Sequence, residues 1–101
     1  MEKITLRTAQ LISKYFSVDK KDLVISSLIE ECGNNLPSCE NNTPTDMERI
    51  HFAVIKLSNG ELDKLEAAIE LAKRDWRDLL VAAGFASDLN AHKEWAKTAS
   101  E

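Results

Sequence analysis

The sequence contains few of the residues that interrupt helices, with three glycines and two prolines among 101 residues. Because glycine and proline are the strongest local breaks, their scarcity predicts long, uninterrupted helices. Hydrophobic residues make up 44% of the chain, which suffices for a folded core and is too much for a disordered segment. The length fits one domain, so we predict a single helical domain over residues 1–101.

Cysteine is also scarce, and long apolar runs are missing from the sequence. Cys32 and Cys39 are the only cysteines, and their spacing fits neither a CxxC redox pair nor half of a zinc site. The first ten residues lack the apolar segment of a secretory signal, and no apolar run approaches the roughly 18–20 residues that span a bilayer. We therefore expect a cytoplasmic protein with free thiols and no membrane partner.

Acidic residues outnumber basic ones by 17 to 13, which gives a formal net charge of -4. A protein that binds nucleic acid in general usually presents a basic face to the phosphates. The overall charge therefore disfavours a general nucleic-acid-binding protein. It is compatible with a small local basic patch.

Apolar residues recur at helical spacing along nearly the whole chain, and alternation with a period of two never persists. The pattern predicts an all-α bundle of five helices, or six if the longest one breaks. The predicted helices cover residues 3–16, 19–32, 44–57, 61–84 and 88–98. The third has apolar residues on more than one face, which is typical of a helix packed between neighbours.

Helix starts are indicated at four places. Asp19 is a candidate N-cap, with Val18 and Leu23 at the spacing of a hydrophobic staple. Pro44 follows Thr43 and suits the first position of the third helix, while Ser58 and Glu61 have the spacing of a capping box. The last helix is predicted to begin at Ser87 or Asp88.

Two glycines have the sequence context of helix ends. Gly33 follows the second helix at the position that favours a left-handed backbone, and Gly84 does the same after the fourth. Leu80 and Phe85 then occupy the positions of the hydrophobic pair in a Schellman motif.

Residues 33–44 form the one long irregular stretch, which is rich in asparagine. About twelve residues is long for a connection inside a compact domain, and long loops often carry function. Ser38, Cys39 and Asn41 are therefore candidate partner-binding residues. The alternative is a plain surface connection.

The cleanest periodicity lies in residues 61–84, where Trp76 shares one seam with the apolar residues around it. The seam is made of Leu62, Leu65, Ile69, Ala72, Trp76, Leu79 and Ala83. This register predicts a tryptophan in the core or at its edge, and a homodimer through the seam is a second possibility. Asp75 could cap a fresh start, so the segment is either one helix or two joined near Arg74 and Asp75.

The sequence offers no constellation for catalysis, a metal or a cofactor. His51 and His92 are the only histidines, and neither has a partner at the spacing of a metal or catalytic motif, so we expect both to be partly buried or at the surface. The favoured function is a non-enzymatic module that binds another protein, with Arg74, Trp76 and Arg77 at its binding edge. The alternative is a regulator that contacts nucleic acid through Lys73, Arg74 and Arg77.

One further indication is a resemblance. The run DWRDLLVAAGF at 75–85, with Ala91, His92 and Trp95 after it, resembles the C-terminal part of small all-helical bacterial proteins to which no activity is assigned. The likeness covers the chain from about Glu48 onward. It implies a bacterial cytosolic protein and carries no catalytic residues with it.

Overall fold

The structure, a computed structural model, describes residues 6–31, 44–86 and 91–99. These residues form five α-helices, and no residue within the three ranges lies in a β-strand. The helices are α1 Leu6–Tyr15, α2 Val18–Glu31, α3 Pro44–Ser58, α4 Leu62–Ala83 and α5 Ala91–Ala99. The predicted all-α fold is confirmed.

The centre of the fold is α3, in which every side chain from Ile50 to Ile55 is buried. A helix buried on all sides needs neighbours on all sides. Helix α4 makes the most extensive contact with α3, and α1 and α5 also pack against α3. The prediction of a helix held between neighbours is therefore confirmed. Pro44 is the first residue of α3, where its missing N–H has no helical partner to lose.

The start of α2 differs from the prediction. The backbone carbonyl of Ser17, not that of Asp19, accepts the first helical hydrogen bonds, from the amides of Lys20 and Lys21. Val18 is therefore the first residue of α2 and does not precede the cap, as a hydrophobic staple requires. Val18 and Leu23 are 89% and 55% exposed, so the predicted hydrophobic staple between them is wrong.

The turn between α3 and α4 also corrects a prediction. The Ser58 hydroxyl donates a hydrogen bond to the Ile55 carbonyl at 2.7 Å, so Ser58 closes α3 and does not cap α4. Asn59 and Gly60 then adopt positive φ angles of 49° and 81°. Glu61 becomes the N-cap residue of α4, without a side-chain cap hydrogen bond. The capping box is wrong because this left-handed pair delays the helix start by three residues.

The C-terminal end of α4 has the predicted form. Gly84 adopts φ 81° and ψ 20°, and its amide donates to the Val81 carbonyl at 3.1 Å. The Phe85 amide donates to the Leu80 carbonyl at 2.9 Å, and both of these side chains are buried. These two bonds and the hydrophobic pair constitute a Schellman motif.

Helix α5 begins at Ala91 and buries His92 and Ala96. The predicted start at Ser87 or Asp88 lies outside the described residues, and so does Gly33.

Candidate binding surface

Helix α4 contains a backbone break at Asp75, the residue that the sequence singled out as a possible cap. Asp75 has an extended backbone, with φ -162° and ψ 103°, inside an otherwise helical segment. Its carboxylate Oδ1 accepts a hydrogen bond from the Arg77 amide at 3.0 Å. This is the contact of an N-cap side chain with the second residue of a new helical turn. The sequence left two alternatives for this region, one helix or two helices joined near Arg74 and Asp75. The structure has two helical segments that meet at Asp75 within one continuous element, residues 62–83.

The side chain of Arg77 is anchored to the same carboxylate. Arg77 Nε lies 3.2 Å from Asp75 Oδ1, and Nη2 lies 3.5 Å from Oδ2. Hydrogen bonds from the side chain and the backbone of Arg77 lower the pKa of Asp75. The hydrogen bond to Asp75 in turn raises the pKa of the guanidinium. Arg77 is exposed and Asp75 is half-exposed, so solvent weakens the pair, which orients Arg77 more than it stabilises the fold.

Exposed side chains lie beside the buried seam on both sides of the break. Trp76 is half-buried and packs against the core, which agrees with a tryptophan at the core edge. The seam residues Leu65, Ile69, Ala72, Leu79 and Ala83 are buried, as predicted. On the outer side of the second segment, Arg77 is 75% exposed and Val81, one turn later, is 66% exposed. We call the exposed residues Lys73, Arg74, Arg77 and Val81, with the edge of Trp76, the α4 break surface.

The charges around this surface balance. Lys73, Arg74 and Arg77 contribute three positive charges, and Glu70, Asp75 and Asp78 contribute three negative ones, so these six residues carry no net charge. Lys73 Nζ lies 3.8 Å from Glu70 Oε1, and Arg77 is paired with Asp75. A surface without net positive charge gives phosphates little electrostatic attraction.

The loop candidates are not tested by the geometry. Ser38, Cys39 and Asn41 lie outside the described residues, as does Cys32. Within α4, Arg74 lies just before the break at Asp75, and Trp76 and Arg77 lie just after it.

The two histidines are more deeply buried than the sequence suggested. His51 is 2% exposed and His92 is 1% exposed, because both lie on apolar faces of helices packed against the core. His92 Nε2 lies 4.0 Å from Glu48 Oε1. Within the described ranges, no three side chains of the metal-binding types come together as a possible metal site.

The structure also contains an aromatic cluster that sequence reasoning missed. The Phe52 ring from α3 and the Phe85 ring after α4 both contact His92 and Trp95 of α5, with centroids 5.5–6.3 Å apart. Tyr15 of α1 stacks on Trp95 at 6.1 Å. The only sequence signal was the apolar register of each helix, which does not reveal that three helices and a turn converge.

Two basic side chains of α3 hold the end of α4. Arg49 Nη2 donates to the Phe85 carbonyl at 2.5 Å, and Lys56 Nζ donates to the Ala83 carbonyl at 2.7 Å. Lys56 also lies over the Phe85 ring, 5.0 Å from its centroid. Positive charge at a helix C-terminus interacts favourably with the helix dipole. These contacts fix α4, and with it the α4 break surface, against the central helix.

Comparison with protein-family models, with curated proteins and with solved structures finds no match to this chain. Among the helices of the described ranges, none combines the length and the apolar character needed to cross a membrane.

Proposed function

We propose that this chain is a non-enzymatic cytoplasmic protein that binds another protein through the α4 break surface. The observation that carries the proposal is the arrangement of Arg77 and Val81, two exposed side chains one helical turn apart beside the half-buried Trp76. Tryptophan and arginine are the residues most enriched at energetically dominant positions of protein interfaces.

The anchoring of Arg77 supports this function. Its guanidinium is already oriented by Asp75, at 3.2 Å, before any partner is present. Less side-chain freedom is then lost on binding, which favours affinity. The Schellman motif and the contacts from Arg49 and Lys56 hold the backbone beneath Val81 in the same way.

The balanced charge favours a protein over a nucleic acid as the partner. Mixed charges of both signs around an apolar and aromatic centre are typical of the rim of a protein interface. A regulator that contacts nucleic acid through Lys73, Arg74 and Arg77 would need positive charges that no nearby carboxylate neutralises. Glu70, Asp75 and Asp78 lie next to these basic residues in the sequence and oppose their charge. The resemblance of the C-terminal half to bacterial cytosolic proteins is part of the same proposal, and so is the cytoplasmic location.

A capture experiment with matched variants tests the proposal. Wild type, an Arg77→Ala/Val81→Ser variant and an Arg7→Ala/Val18→Ser control are used as bait in a bacterial lysate, with and without nuclease. The control removes the same two residue types from exposed positions on α1 and α2. Circular dichroism establishes that all three proteins are folded.

We expect a protein that is retained by wild type and the control, lost from the Arg77/Val81 variant and unaffected by nuclease. Binding of the same proteins by all three baits would overturn the proposal. Capture that is abolished by nuclease would overturn it in favour of the nucleic-acid alternative. Light scattering of the purified proteins identifies a second copy of this chain as the partner if wild type is a dimer and the Arg77/Val81 variant is a monomer.

A further inference from the structure

We draw no further inference here: the strongest candidate, the buried side-chain cluster of His92 on α5 and Glu48 on α3, carries nothing, because it consists of one imidazole and one carboxylate 4.0 Å apart in the packed core, and the described residues bring no third metal-ligating side chain to it.

Discussion

Lys56 of α3 donates a hydrogen bond from its ammonium group to the carbonyl of Ala83, 27 residues later, at the last residue of α4. The same ammonium lies over the Phe85 ring. We expect Lys56→Met, which keeps the apolar stem, to lower the free energy of unfolding by about 1 kcal/mol, the usual value of one hydrogen bond.

Urea unfolding measures this effect, with Lys20→Met as the control at an exposed position of α2. Equal midpoints for Lys56→Met and the control would show that the contact contributes nothing to stability.

Gly60 and Gly84 share a φ of 81° but differ in what surrounds them. A Cβ on Gly60 would lie 2.7 Å from the Tyr15 carbonyl oxygen, whereas one on Gly84 would meet only Lys56 Nζ at 3.8 Å. Gly84→Ala should cost roughly 1–2 kcal/mol, the cost of the left-handed backbone alone. Gly60→Ala should cost at least about 1 kcal/mol more, because the backbone of α1 must move.

Thermal unfolding of the two alanine variants separates the cost of the close contact with the Tyr15 carbonyl from the cost of the left-handed backbone. If both variants lose the same stability, the turn between α3 and α4 does not press against the end of α1.

Asp75 caps the second segment of α4 through the Arg77 amide, so Asp75→Ala should lower the melting temperature more than Asp75→Asn, whose amide oxygen still accepts that bond. The two variants also test the pH dependence. Because Arg77 lowers the pKa of Asp75 in the folded state, the carboxylate contributes stability above its unfolded pKa. That contribution is lost as the pH falls through the lower, folded value.

The difference in melting temperature between wild type and Asp75→Asn should therefore be largest near neutral pH and shrink below about pH 4. A difference that stays constant from pH 7 to pH 2.5 would show that the charge of Asp75 does not contribute.

Phe52 and Trp76 illustrate different depths of burial. Phe52 is fully buried and contacts the rings of His92 and Trp95, so Phe52→Ala should cost about 3–5 kcal/mol. Trp76 is half-buried, so Trp76→Ala should cost less, roughly 2 kcal/mol. Chemical denaturation of both variants compares the two values. A loss at Trp76 as large as that at Phe52 would place the indole in the core and not at the binding edge.

Local signals in the sequence were reliable where all the hydrogen bonds of a structural feature lie within a few consecutive residues. Leu80, Gly84 and Phe85 form their hydrogen bonds within six residues, and this helix end is present as the sequence predicted. Asp75 with Arg77 is equally local, and it realises one of the two alternatives that the sequence left open. The candidate surface residues Arg74, Trp76 and Arg77 lie next to the break at Asp75, with Arg74 before it and the other two after it.

The same kind of reasoning failed where several local solutions compete. Ser17 and Asp19 are both good N-cap residues, and the register that buries Phe16 has Ser17 as the cap. Ser58 has the spacing of a cap with Glu61, yet its hydroxyl bonds backward to α3 because Asn59 and Gly60 turn the chain first. A side chain that can cap either of two helix ends takes the role that tertiary packing favours. The spacing of residues in the sequence carries no information about that packing.

The sequence by itself determined the helical class, the buried seam of α4 and the glycine end at Gly84, because apolar periodicity and short-range hydrogen bonds depend on residues that are close in the chain. It left one helix or two as alternatives at Asp75, and the structure decided between them. Only the tertiary structure decided that Lys56 reaches Ala83, that Phe52 and Phe85 both contact His92 and Trp95, and that Tyr15 stacks on Trp95. These contacts join residues far apart in the chain, and they depend on the crossing of helices, which apolar periodicity within each helix leaves open.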